Sequence, residues 1–282
     1  MNRRKFLKAL GAFALTAGVA PGALALPTAA IRPVSDRIPD EFIRDYLVKM
    51  KHFSEPHPGD IYLEAELFGV LESSLKRLKR LQRTVGYGNF YLLNFDEALN
   101  IAQNYTRVGA FTRPELDFLE RMFYSDGTQY GFFGEKPLKN LTDRIQRGEV
   151  IKVNRTGNYL YKGQALETYK TIKQALGDKV ILTSGVRNVI KQFMLFLNKA
   201  YNSRGNLSMA SRSLAPPGYS YHGVGDFDVG QVGYGVDNFT ERFTTTEVFH
   251  KLRDSGFLKL RYDYGNLLGV RFEPWHIKVT TV

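Results

Sequence analysis

Two short clusters hold the residue types from which a hydrolytic site can be built. The first is Ser220-Tyr221-His222-Gly223-Val224-Gly225-Asp226-Phe227-Asp228, and the second is Glu273-Pro274-Trp275-His276. Together they contain two of the five histidines, the only tryptophan and three carboxylates. Imidazole nitrogens and carboxylate oxygens are zinc ligands. Three of them leave a fourth tetrahedral position open for water, and one more carboxylate can take a proton from that water. The chain has no cysteine. That excludes thiolate ligands, a cysteine nucleophile and a disulfide framework, so any metal must sit on His, Asp or Glu.

Local geometry leaves part of the ligand set open. His222 falls in a glycine-flanked turn, and Asp226 and Asp228 open a strand predicted over 226–229. Residues two apart in a strand point to the same face, so strand geometry does not choose between the two aspartates. His276 lies on the last predicted strand, 270–279. Glu273, three residues earlier, would fall on the opposite face of a regular strand. Pro274 cannot donate to a ladder and favours an irregular or edge position, and a kink there would turn Glu273 and His276 toward one point.

The elements that must position these residues are predicted from periodicity and caps. From about 39 to 136 the pattern is helical. Leu63, Leu67, Val70, Leu71, Leu75 and Leu78 form one apolar stripe after a cap expected at Asp60, and Asn94/Glu97 and Thr112/Glu115 read as capping boxes. Phe90-Tyr91-Leu92-Leu93 reads as a short strand. After about 149 the style changes. Strands are expected at 151–153, 159–161, 180–183, 226–229, 258–262 and 270–279, and helices at 164–176, 189–201 and 246–255. The order suggests an α+β domain with a mainly antiparallel sheet and flanking helices, preceded by a helical N-terminal region. The basic run Lys76-Arg77-Leu78-Lys79-Arg80-Leu81-Gln82-Arg83 has leucines at helical spacing and reads as the wet face of an amphipathic helix. No nucleic-acid motif accompanies it. His52 and His57 read as loop histidines, and His250 as structural.

At the two clusters the sequence resembles the D-alanyl-D-alanine carboxypeptidase family of zinc peptidases, which includes the VanY-type enzymes and shares its fold with the hedgehog signalling domain. That family carries S-x-H-x-x-G-x-A-x-D, a later E-x-W-H, a preceding proline-glycine loop and an upstream S-G-x-R with a glutamine five positions on. The matching pieces are Ser184-Gly185-Val186-Arg187 with Gln192, Pro216-Pro217-Gly218-Tyr219-Ser220-Tyr221-His222, and Glu273-Pro274-Trp275-His276. The resemblance covers roughly residues 150–282. The family's aspartate stands seven positions after the first histidine, whereas Asp228 stands six after His222 and Asp226 four, and the alanine is missing.

The resemblance implies the following roles. His222, Asp228 and His276 bind Zn2+, with Asp226 the alternative to Asp228. Glu273 deprotonates water and protonates the leaving amine. Arg187 polarises the scissile carbonyl or stabilises its oxyanion. Ser220 and Gln192 hold the substrate's terminal carboxylate, and Trp275 lies beside the zinc and the substrate. The implied activity is removal of a terminal D-alanine from peptidoglycan stem peptides. The alternatives are an endopeptidase of the same fold and a non-catalytic zinc-containing wall-binding module.

The N-terminus fits an exported, periplasmic protein. Asn2-Arg3-Arg4-Lys5-Phe6-Leu7-Lys8, a weakly apolar run from Ala9 to Ala20, and Ala23-Leu24-Ala25 read as a twin-arginine signal over 1–25. A proline- and alanine-rich linker follows over 26–38, then the helical region 39–149 and the catalytic domain 150–282. The apolar run is too short and glycine-rich to span a membrane, so no stable span is expected in the mature protein. Removing Arg3, Arg4, Lys5 and Lys8 with the signal reduces the formal net charge from +11 to +7. A basic surface suits an anionic wall polymer.

Overall fold

The leucine stripe forms the centre of the helical half. In the computed structural model, which describes residues 40–279, the order begins α1 (Asp40–Lys51), α2 (Phe68–Val85), α3 (Tyr87–Phe90), α4 (Phe95–Asn104) and α5 (Arg113–Tyr124). The predicted signal and linker lie outside the described residues. Leu71, Leu75, Leu78 and Leu81 of α2 are buried against Phe118 and Leu119 of α5 and Ala98 and Ala102 of α4. Both predicted capping boxes form, at Asn94/Glu97 and Thr112/Glu115. Glu115 is buried as well and pairs with Arg77 at 2.8 Å, while Arg77 and Arg80 donate to the Val108 carbonyl. Part of the basic run therefore ties α2 to α5, and Lys76, Lys79 and Arg83 face solvent.

Two expectations fail in this half. Asp60 caps no helix: α2 starts at Phe68 after a 3₁₀ turn, Ala65–Leu67. Asp60 instead accepts from Arg212, Asn206 and the His57 backbone, which together hold its pKa at about 2 against the opposing effect of burial. Of residues 90–93, Phe90 is helical, Tyr91 and Leu92 form a turn and Leu93 is irregular, and none is strand. Gly86, at φ +84°, ends α2 and restarts the chain as α3, and the Asn94 box opens α4 directly afterwards, so no extended segment fits between them.

The second half supplies β1 (Val150–Lys152), β2 (Tyr159–Tyr161), α6 (Gln164–Leu176), β3 (Val180–Ser184), α7 (Val189–Asn202), α8 (Leu207–Ser211), β4 (Phe227–Gln231), α9 (Glu247–Asp254) and β5 (His276–Ile277). β1 and β2 form an antiparallel hairpin; β3, β4 and β5 form an antiparallel sheet with β4 in the middle. Leu182, Phe227, Val229 and Ile277 of that sheet bury one face against Ile172 and Leu176 of α6 and Leu252 of α9. The α+β class and antiparallel pairing agree with expectation. The predicted strands 258–262 and 270–279 shrink, however, to a bridge between Leu260 and Ile277 and the two residues of β5. Positive-φ Gly265 and Gly269 and the turn at Pro274 interrupt pairing there.

α7 joins the two halves. Val189, Ile190, Phe193, Phe196, Leu197 and Ala200 belong to the same core as α2, α4 and α5. Its Asn188 cap also reaches back: the Asn188 backbone donates to Tyr91 O at 2.8 Å and its amide to Leu92 O at 3.2 Å. The helical half thus fixes the start of α7, where Arg187 stands.

Candidate metal centre

Strand register brings the two clusters together. Asp228 of β4 pairs directly with His276 of β5 on one side and with Ser184 of β3 on the other. Directly opposed side chains on one face of an antiparallel pair have Cβ atoms about 5 Å apart. Asp228 Oδ1 accordingly lies 3.2 Å from His276 Nδ1. His222, from the 3₁₀ turn Tyr221–Gly223, brings Nε2 to 3.4 Å from the same oxygen. The three residues are buried and offer one ligand atom each within 4.8 Å of one another.

Each imidazole has its outward nitrogen spoken for. His222 Nδ1 donates to the Gly185 carbonyl at 2.8 Å, which leaves Nε2 as the free lone pair toward Asp228. His276 Nε2 donates to Asp226 Oδ2 at 3.1 Å, leaving Nδ1 toward Asp228. Asp226 is held in turn by Arg261 and by the Val279 backbone N–H at 2.9 Å. The aspartates, indistinguishable by strand periodicity, therefore meet opposite nitrogens of one ring: Asp228 within the cluster, Asp226 behind it.

The arrangement fits a tetrahedral cation. Asp228 Oδ1 is buried and accepts no hydrogen bond, an expensive state for a carboxylate oxygen unless something positive satisfies it. Metal–ligand bonds of 2.0–2.2 Å imply edges of about 3.4 Å between tetrahedral ligand atoms, close to the 3.2 and 3.4 Å found. Electrostatics agree. Burial alone would raise the Asp228 pKa, but His222 and His276 outweigh it and hold the carboxyl well below the usual range. Burial lowers His222, aided by Arg187. Burial also opposes charge on His276, yet its two aspartates lift its pKa to about 10, so without a cation a proton on the ring balances them, and a metal would take that proton's place.

Glu273 reaches the cluster through the expected kink. His276 N donates to Glu273 O at 3.1 Å, closing a turn with Pro274 at its second position. Glu273 Oε2 lies 3.9 Å from His276 Nδ1 on the wall of a cavity of about 360 Å³. Burial raises its pKa to about 7, against the attraction of Arg271 and His276.

Arg187, Ser220 and Trp275 line the same cavity. The Arg187 guanidinium donates to Gln192 Oε1 at 3.1 Å and Ser184 Oγ at 3.0 Å, and lies 3.8 Å from Asp228. Gln192 stands behind Arg187, off the cavity wall, with its amide spent on Arg187 and the Ala215 carbonyl. Gly185 has a steric reason: a Cβ there would lie 1.9 Å from the Tyr159 carbonyl oxygen of β2. Sequence reading missed Arg261, Tyr91, Lys191 and Arg271, the last three of which line the cavity. Lys191 stands in the first turn of α7, directly before the motif residue Gln192; Arg261 and Arg271 lie in irregular chain with no periodicity to read.

Residues 161–281 match the VanY family, described as D-alanyl-D-alanine carboxypeptidase. The resemblance carried by the three motifs is thus borne out over the segment that holds the cluster. No curated protein matches the chain. Similar solved structures include the LD-carboxypeptidase LdcB, 22% identical over 48% of this chain and 69% of that one with a TM-score of 0.40. A variant of the vancomycin-resistance D,D-pentapeptidase VanY in complex with Zn(II) is 24% identical over 46% of this chain and 78% of that one, TM-score 0.38. VanYB in complex with D-alanine-D-alanine is 21% identical over 54% and 86%, TM-score 0.40.

Proposed function

We propose that this chain is a zinc-dependent D-alanyl-D-alanine carboxypeptidase that trims peptidoglycan stem peptides outside the inner membrane. The observation that carries the reading is the meeting of His222, Asp228 and His276 with Glu273 and Arg187 on one cavity. The family match over 161–281 supports it.

His222 Nε2, Asp228 Oδ1 and His276 Nδ1 would hold the zinc, which supplies Lewis acidity to the scissile carbonyl and to water. Glu273 takes the proton from the attacking water and returns it to the leaving amine. A carboxylate raised to about 7 is matched to both steps near neutral pH. Glu273 also argues against a purely structural zinc module, because a buried carboxylate beside the cluster is costly without a proton to move. Arg187 faces the carbonyl oxygen as negative charge develops on it. Gln192 and Ser184 act by fixing the guanidinium, so Gln192 serves the substrate through Arg187. Ser220 and Trp275 shape the wall against which the peptide lies. Asp226 fixes the His276 tautomer.

Digestion of purified muropeptides followed by mass spectrometry tests the reading. Monomers shortened by one D-alanine are expected; split cross-linked dimers would make the chain an endopeptidase, and unchanged muropeptides would end the peptidase reading. Export through the twin-arginine route rests on the N-terminal pattern. Replacing Arg3 and Arg4 by lysine should strand the protein in the cytoplasm, and unimpaired export would remove that assignment.

A further inference from the structure

The cavity contains a charge that the proposed chemistry does not use. Lys191, in the first turn of α7, lies on the cavity wall yet is only 8% exposed. Among the described residues its ammonium has no hydrogen bond or ion pair; its neighbours are the ring of Tyr91, 4.8 Å from Nζ, and that of Phe90, 6.0 Å away. The other cations of the wall each have polar partners, although the Nε of both Arg187 and Arg271 finds none. Arg187 is hydrogen-bonded to Gln192 and Ser184, and Arg271 donates to the Phe239 carbonyl at 3.0 Å while stacking on Phe53 and Trp275. A buried ammonium without a counter-ion is expensive, and a ligand carboxylate would supply the missing charge.

We propose that Lys191, with the ring of Tyr91 beside it, forms a carboxylate subsite that receives the free C-terminus of the peptide. This rests on the peptidase reading and sharpens it toward removal of a terminal residue. Position supports the assignment. Lys191 is the third residue of α7 and Arg187 lies just before its Asn188 cap, and both side chains line the one cavity. Burial, with a smaller push from Arg187, pulls the Lys191 pKa down to about 8, and a bound carboxylate would reverse that penalty. Tyr91 comes from the helical half, which thereby closes the pocket as well as supporting it.

The test compares an N-acylated D-alanyl-D-alanine with its C-terminal amide, binding each by calorimetry to the full-length, zinc-loaded Glu273→Gln protein, which holds ligand without turnover. The parent should prefer the acid. Lys191→Met in that background should weaken the acid by about 10- to 100-fold and leave the amide within threefold, whereas Lys191→Arg should keep the preference. The melting temperature of Lys191→Met should hold or rise, because a buried unpaired charge is gone. A lower melting temperature with equal loss of acid and amide would make Lys191 a packing residue and overturn the subsite. So would a parent indifferent to the amide, or a Lys191→Met protein that binds the acid unchanged. A side-chain carboxylate of the stem as the occupant would appear as Lys191-dependent binding of a glutamyl-containing acyl group that survives amidation, and it too overturns the C-terminal assignment. If the wild-type chain cleaves no peptide while the acid still binds through Lys191, the peptidase reading falls and the subsite stands.

Discussion

The underside of α7 is packed in hydrocarbon, while its first turn looks onto buried ions. Below, Phe193, Phe196 and Leu197 meet the leucines of α2, each contributing about 1.5–3 kcal/mol when fully buried. Above, Arg187 and Lys191 share a cavity with Asp228, Glu273 and two imidazoles, groups whose removal from water costs several kcal/mol apiece before pairing. One helix thus carries a surface that stabilises and a surface that is stabilised only by partners and ligand. The contrast gives the helical half a physical purpose. It supplies the apolar burial that an ionic layer on a three-stranded sheet cannot supply alone, and it anchors the residue at which Arg187 enters the cavity.

The strongest way to break this contrast is to separate the two halves. Residues 150–282 expressed alone should fail to fold, because the underside of α7 would be bare; circular dichroism and hydrogen exchange would read this, and a cooperative melt of the fragment would refute the dependence. Next in size, Glu273→Gln should lower kcat by about 10²–10⁴ with zinc content unchanged. In the wild type, kcat/KM should rise about tenfold per pH unit below 7 and level above it, since the base must be deprotonated and its pKa is about 7. A rising limb that persists in Glu273→Gln would assign it to another group. On the apolar side, Leu78→Ala should cost about 2–5 kcal/mol of unfolding free energy and leave kcat/KM unchanged well below the melting temperature; a matching loss of activity would mean the two surfaces are not separable. The smallest effect is expected at Asp226→Asn, which should weaken zinc binding about 10- to 100-fold in a chelator competition. Affinity within threefold of wild type would deny that Asp226 sets the His276 tautomer.

The parts that could be read from sequence are those fixed by local chemistry. Capping boxes at Asn94 and Thr112 formed because each needs only four consecutive residues. The helix expected over 164–176 closes at Gly177, and the turn at Pro274 follows from a missing donor. Whatever depended on pairing across the chain was hidden. Which aspartate lies opposite His276 depends on the β4–β5 register, which puts Asp228 there, and register is a tertiary property. Asp60 looked like a cap because its distant partners, Arg212 and Asn206, left no trace in its neighbourhood. Tyr91 was misread as strand for the same reason: its apolar run is equally compatible with a buried turn.

Gly185 carries a consequence out of proportion to its size. Its carbonyl accepts a hydrogen bond from His222 Nδ1, and its missing side chain is what lets the Tyr159 carbonyl of the hairpin come in from the other side. Backbone of one strand, a bare α-carbon and an imidazole are stacked like gauge blocks, so the thickness of residue 185 sets how far His222 leans toward Asp228. Adding a single methyl there would act as a shim, and the damage would register as a displaced imidazole several bonds away from any atom that had been changed.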